Sequence, residues 1–417
     1  MNKQETLDYI TNYYFTSGDF NGIANKNLKQ SSLQDLESLV LEDKILVLSQ
    51  SDDINVFIRR FDIIPPKEKQ IKALYNENLA VIYPTKKHLA TVNIVEEKPF
   101  TKMLAQGAEQ LRILYFNVDI LQMYYDNPLY KIIDYGFRGH INITESTTDE
   151  LHSEYIKDFG VAYPAIEPFD SDRAIGVFLR DLSKLNYEAQ CKWRGCMLRD
   201  QSAFLINKGF VDNLINCNLV TGVWVFDALL EELKFINVLC KNIGLPPLFN
   251  REYNIIEDDL IGYRTLLIPS KKNYYDFVTA LEKIVVNNIN YEFFKFDKLS
   301  YILPIERKQK DGSLKGSINL LEEWMNTNYF SSNPQGQEAC KKYIISALKK
   351  IRNIRQTPAH EVYNNQHDKT LYREQNQLIR ETYDSINQLR FIFQHHPANK
   401  GVEIPDIIQD EENVVIY

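Results

Sequence analysis

The run Cys340-Lys341-Lys342-Tyr343-Ile344-Ile345-Ser346-Ala347-Leu348-Lys349-Lys350-Ile351-Arg352-Asn353-Ile354-Arg355-Gln356-Thr357-Pro358-Ala359-His360 decides how the rest of the chain is read. Ile344, Leu348 and Ile351 recur at the spacing of one helical face, and the same step carried onward falls on Arg355. A guanidinium in register with an apolar stripe must pair with a buried group or face a subunit partner, because burying it alone is very costly. Upstream, Ser332-Asn333-Pro334 supplies a cap and an early proline, which predicts a helix over 335–356. Pro358 is expected to break the helix between Arg355 and His360, so that the imidazole can swing back toward the arginine.

Working outward, the apolar residues Phe277, Leu281, Ile284, Val285 and Ile289 predict a helix over 274–294, and a shorter one follows over 319–329. A polar loop, Asn364 to Asp368, leads to a last helix over about 371–394 whose apolar face is Leu378, Thr382, Ile386, Leu389 and Phe393, stopped by His396-Pro397. Four helices with short connections predict an up-and-down four-helix bundle over 272–400. The remaining 401–417 carry Asp406, Asp410, Glu411 and Glu412 and read as an acidic, peripheral tail. Toward the N-terminus, strand-like runs at 44–48, 54–58, 79–83 and 90–95 predict a mixed α/β domain over 1–100. The aromatic-rich stretch 101–271 reads as a helical or mixed middle domain with a sensory or regulatory role. Its helices are expected near 177–182, 190–198 and 224–243, the last ended by Pro246-Pro247. The fold class is therefore α+β and predominantly α.

At 417 residues the chain is long enough for two or three domains, and 44% hydrophobic with 25% charged residues is the balance of a folded protein. A formal charge of −8 argues against coating nucleic acid with the whole surface. The segment 339–360 is the exception, since it holds Lys341, Lys342, Lys349, Lys350, Arg352 and Arg355 with no Asp or Glu. The first residues show no apolar signal core and no run is long enough to span a membrane, so the expected location is cytoplasmic, with no membrane partner. Five scattered cysteines do not make a disulfide scaffold, and Cys191 and Cys196 lack a second half-site for zinc. Neither metal nor cofactor is expected.

Arginine and histidine together suit metal-free RNA cleavage. Histidine titrates near neutrality and serves as general acid or base, while arginine offers a permanently charged fork that matches phosphate oxygens. Arg355 and His360 are the candidate catalytic pair, and Lys349, Lys350, Arg352 and the Gln356 amide are candidate RNA contacts. An arginine followed four to six residues later by histidine arises roughly once by chance in such a chain. Arg390 with His395, and His396 also in range, is a second match. Arg390 sits among Leu389, Phe391, Ile392 and Phe393, which suits an arginine at the edge of the core paired to a carboxylate, so Arg355 and His360 are preferred. Trp193, flanked by Lys192 and Arg194, reads as core more than as a base-stacking clamp. Asn287-Asn288 reads equally as support for a site or as a buried hydrogen-bonded pair.

The stretch Leu348 to His360, the Asn365 to Asp368 loop, Gln375 and the helix ending His396-Pro397 together resemble the HEPN superfamily of prokaryotic defence and toxin ribonucleases. The likeness covers about 272–400, and more weakly 116–130 and 266–294. It implies a metal-independent endoribonuclease that cuts single-stranded RNA by 2′-hydroxyl attack, leaving 2′,3′-cyclic phosphate and 5′-hydroxyl ends. Its setting would be prokaryotic defence or toxin-type growth arrest. The resemblance also implies that two copies of the motif meet across a homodimer interface built from the bundle. Carried over, Arg355 binds the scissile phosphate and His360 acts as general acid and base, whereas Gln356 stands where active members often carry Asn, Asp or His. Expected partners are RNA and a second copy, with a regulatory protein or small-molecule activator as further ones. Two other readings remain: an inactive HEPN module that dimerises or docks, and a ligand sensor that uses the bundle only to dimerise. Against the last stands the lack of a glycine-rich phosphate loop, a Walker lysine or a Ser/His/Asp order.

Overall fold

Two apolar runs of the N-terminal part, Ile45–Ser49 and Ala80–Pro84, pair within a small antiparallel sheet in a computed structural model of the chain. The structure describes every residue except 29–30, 53–54, 60–63, 77–78, 144–151, 167–171, 217, 219–221, 259, 361–363 and 417, together with all side chains outside these but those of 76 and 357–360. It is a mixed α/β protein, with about 49% helix and 14% strand. Contacts divide it into two units: Met1–Ile132, His140–Ala162 and Ala174–Ile206 form one, and Ile133–Gly139, Tyr163–Arg173 and Asn207–Tyr417 the other. The main division between them along the chain follows Ile206.

In the first unit, helix α1 (Lys3–Thr16) starts at a reciprocal cap in which the Asn2 side chain accepts from the Glu5 amide and Glu5 accepts from the Asn2 amide. Strand β1 (Ile23–Ala24), α2 (Leu33–Leu41), β2 (Ile45–Ser49), α3 (Lys67–Asn76) and β3 (Ala80–Pro84) follow. The sheet order is β1-β3-β2, with Ile23 and Val47 both opposite Ile82. Every residue of β2 and β3 is buried, which is why both read as unbroken apolar runs. The strand expected at 90–95 does not form, nor do the described residues 55–58 of the one expected at 54–58. Residues 53–54 lie outside the described residues, and beyond them the Asn55 side chain accepts from the Phe57 amide while the Ile58 amide bonds back to Asn55, which curls the segment into a turn. After α4 (Lys86–Leu89), the Thr91 and Val92 amides bond back to the His88 and Leu89 carbonyls, so this stretch is the unwinding end of a helix.

The middle of the chain departs most from expectation, because it holds a sheet. After α5 (Pro99–Ala105) come β4 (Ile113–Asn117), α6 (Gln122–Tyr125), β5 (Tyr130–Asp134), β6 (Arg138–Ile143), β7 (Asp158–Pro164) and β8 (Ala174–Phe178). Then follow α7 (Leu179–Ser183), α8 (Tyr187–Gly195) and β9 (Phe204–Ile206). The strand order is β4-β8-β7-β6-β5, with β9 pairing β7. Val177 and Phe178, assigned to a helix from sequence, are the end of β8, and the helix begins only at Leu179. Trp193 is fully buried edge-on to Phe116 and donates to the Tyr124 hydroxyl, so the core reading of this residue is the observed one.

The long segment of the second unit, from Asn207 onward, opens with α9 (Lys208–Leu214), β10 (Val223–Trp224) and α10 (Val225–Ile243). Gly244, at φ +88°, stops α10 before Pro246-Pro247 is reached: its amide bonds to Lys241 and that of Leu245 to Cys240. Helix α11 (Lys271–Leu281) runs into a π-helical turn, Glu282–Val286. After α12 (Ser317–Asn328), the long predicted helix appears in three parts: α13 (Pro334–Cys340), a π-helical turn over Lys341–Ile345, and α14 (Ser346–His360). The Asn333 side chain caps it and Pro334 opens it, as the sequence implied. Helix α14 continues through Pro358 to His360, so the predicted stop is absent. A proline removes one amide donor and crowds the carbonyl four residues back, and at 358 that disturbance is confined to the last turn. Helix α15 (Thr370–Gln394) packs along α10 and α14, with Leu378, Thr382, Ile386, Leu389 and Phe393 all buried. The C-terminal segment is not a peripheral arm. Helix α16 (Asp406–Gln409) buries Ile408, and β11 (Val414–Val415) pairs in parallel with β10. No helix among the described residues is long and apolar enough to cross a membrane.

Candidate functional site

The apolar stripe of α14 does what its spacing implies, since Ile344, Leu348 and Ile351 are buried. The residue at the next step of that stripe, Arg355, meets a buried carboxylate. Its Nε lies 3.3 Å from Glu282 Oε2, and the Arg352 Nε lies 3.8 Å from Glu282 Oε1. The Glu282 side chain is only 8% exposed, whereas that of Arg355 is 44% exposed. Two guanidiniums thus bracket one carboxylate where α11 passes into its π-helical turn, leaving the group with one net positive charge. Glu282 lies nearest the Nε of Arg355, and with its side chain 44% exposed the guanidinium stays open to solvent, where it could meet a phosphate.

The other expected RNA contacts are less free than their sequence suggests. Lys349 Nζ donates to Glu322 at 2.8 Å and Lys350 Nζ to Glu381 at 2.7 Å. Partial burial pushes the Glu381 carboxyl up, but the hydrogen bonds from Lys350 and Gln377 outweigh it and the net shift is downward. The basic run of 339–360 therefore borrows its acids from α12, α15 and the Glu282 turn, and only sequence proximity made it look unopposed. Gln356 is exposed beside Arg355. His360 is the last residue of α14, and its side chain lies outside the described ones. On a continuous α-helix, positions five residues apart differ by about 140° of rotation and roughly 7.5 Å of rise. Positions 355 and 360 of one chain therefore do not share a helix face, which replaces the expectation that a break would fold one back on the other.

The second Arg-to-His spacing is built differently. Arg390 is fully buried on α15, its Nε 2.9 Å from Glu232 Oε2 on α10. Asn387 donates to the same carboxylate, Gln394 accepts from Arg390 Nη1, and the guanidinium carbon lies 4.2 Å over the Phe391 ring. Burial pushes the Glu232 carboxyl up against the opposing pull of Arg390 and Asn387. Arg390 is thus a structural ion pair, as its apolar neighbours implied. Asn288 is likewise structural, exchanging hydrogen bonds with the backbone of Arg251.

Glu282 was not singled out from sequence, although a charged residue directly after Leu281 and before Ile284 in an apolar-periodic helix was a signal for it. A buried acid cluster was also missed. Asp134 accepts from the Gly136 and Thr265 amides, and burial pushes its carboxyl up. At the start of α10, burial and then the charge of Asp134 push the Asp227 carboxyl up to about 6. No family model, no curated protein and no solved structure matches this chain.

Proposed function

We propose that the protein is a metal-independent endoribonuclease of the HEPN type, its C-terminal helices α11, α12, α14 and α15 forming the four-helix bundle of that superfamily. The observation that carries this reading is the exposed Arg355 guanidinium, oriented by buried Glu282 near the end of the helix that also carries His360. In this reading Arg355 binds the scissile phosphate and Gln356 and Arg352 hold the adjoining backbone. His360 takes the proton of the attacking 2′-oxygen and returns one to the departing 5′-oxygen. Because the two positions of one chain occupy different helix faces, the working site pairs Arg355 of one copy with His360 of another, in a two-fold homodimer through the bundle. Single-stranded RNA is the substrate, and growth arrest in prokaryotic defence in the cytoplasm is the biological setting. The test is incubation of purified protein with single-stranded RNA in EDTA. Arg355→Ala and His360→Ala are each expected to lower cleavage by about a hundredfold to a thousandfold, and the products to carry 2′,3′-cyclic phosphates.

A second reading is favoured by the ion pairs of Lys349, Lys350 and Arg352, which neutralise much of the surface that RNA would need. In that reading the bundle is a catalytically silent dimerisation or docking module. It predicts a dimer in solution, no cyclic-phosphate products, and RNA affinity too weak to depend steeply on salt.

A further inference from the structure

At the opposite end of the same long helix, about 16 Å along the axis from Arg355 by the rise from Ile344, the bundle opens into a cavity of about 640 Å³. That volume falls within the range of small-molecule sites, roughly 300 to 1,000 Å³. It is lined by Tyr329, Phe330, Tyr343 and Phe391, together with Cys340 at the end of α13 and Ile344 of the π-helical turn. π-helical turns in α-helices recur at functional sites because they displace side chains from the regular ladder. Here the turn is fixed from across the interface, where the buried Ser385 hydroxyl donates to the Ile344 carbonyl.

Two adjacent histidines line the cavity, and the backbone assigns them opposite roles. His395 Nδ1 is 2.7 Å from the Phe391 carbonyl, which can only accept, so Nδ1 carries the proton and the neutral ring presents Nε2 as an acceptor. His396 Nδ1 accepts from the Ala398 amide at 3.2 Å, so this ring presents Nε2–H as a donor. The His396 ring also lies against Tyr301, tilted by 30° with centroids 5.9 Å apart. A ring that offers an acceptor and a ring that offers a donor, on consecutive residues lining an aromatic-walled cavity, complement a ligand bearing both N–H and C=O.

We propose that this cavity binds a small, flat heteroaromatic molecule bearing both N–H and C=O groups, read by His395 and His396 and stacked among Tyr329, Phe330, Tyr343 and Phe391. The site is distinct from Arg355 and does not depend on the nuclease reading. The probe is the bicyclic lactam carbostyril, with naphthalene as its counterpart lacking the hydrogen-bonding edge, titrated into the full chain and followed by imidazole nitrogen shifts in NMR. Carbostyril is expected to bind with a Kd of about 0.1 mM and to shift both imidazoles, with naphthalene about tenfold weaker. His395→Phe and His396→Phe, each checked for an unchanged melting temperature, are expected to remove that preference while leaving naphthalene affinity in place. Ala339→Trp, at an exposed position on the cavity wall, is expected to abolish binding of both. Equal affinity for the two probes, no binding of either, or a lactam preference that survives both histidine variants overturns the proposal.

Discussion

Helices α14 and α15 each carry an arginine followed five residues later by a histidine, within α14 and just past the end of α15, yet the two arginines live in opposite surroundings. Arg390 has a side chain 2% exposed against a carboxylate 0% exposed, with the Gln394 amide, the Phe391 ring and a second carboxylate, Glu411 at 3.7 Å, also around it. Arg355 has a side chain 44% exposed and shares one carboxylate with Arg352. The same spacing therefore serves the fold in one place and leaves a charged fork open in the other. Burial, not spacing, separates them.

The comparison breaks most visibly in stability. Arg390→Ala strands the Glu232 charge in the core and is expected to cost about 3–5 kcal/mol in chemical denaturation. Arg355→Ala removes an exposed partner and is expected to cost under about 1 kcal/mol. Comparable losses for both would erase the distinction drawn here.

Helix α10 sharpens it through pH, since it carries Glu232 with its arginine and, five residues earlier, Asp227 beside another acid. A raised carboxyl pKa means that the folded chain keeps its proton to higher pH than the unfolded one. The burial of Asp227 therefore costs nothing below the ordinary carboxylate value of 3.8, weakens the fold as pH rises through it, and is felt in full above about 6. The full effect is on the order of 2–3 kcal/mol. Asp227→Asn is expected to flatten that part of the stability profile between pH 4 and 6 and to stabilise the protein at neutral pH. A profile unchanged by the substitution would count against burial as the cause.

A smaller effect is expected at Glu282, whose task in this account is to orient Arg355. Glu282→Gln should lower RNA cleavage about tenfold through kcat, with KM little changed, because the guanidinium loses its anchor but keeps its charge. A raised KM with intact kcat would instead make the residue a contributor to substrate binding.

How far the sequence revealed all this depended on whether the signal was local. The helical faces of Ile344, Leu348 and Ile351, and of Leu378, Ile386 and Phe393, showed because one-sided burial imposes a period close to the helical repeat. Strands β2 and β3 showed because burial on both faces makes them short unbroken apolar runs. Strand β8 did not, because Ala174 to Phe178 runs directly into Leu179 of a helix and periodicity cannot divide such a stretch. The acids that answer the basic run were invisible for a different reason: Glu282, Glu322 and Glu381 come from other helices, so their pairing is a tertiary fact. The C-terminal segment misled through composition, since its acids drew attention away from Ile408, Val414 and the apolar residues around them that pack on the core. Arg390 was read correctly because its neighbours are apolar on both sides in sequence as well as in space.

The most direct test sets the two motifs side by side in one assay. Purified wild type, Arg355→Ala, His360→Ala and His395→Phe are incubated with total RNA in EDTA, and 2′,3′-cyclic phosphate ends are counted. The account predicts metal-independent cleavage that is lost in the first two variants and kept in His395→Phe. Cleavage that needs a metal, that persists in Arg355→Ala, or that is absent from the wild type would contradict it.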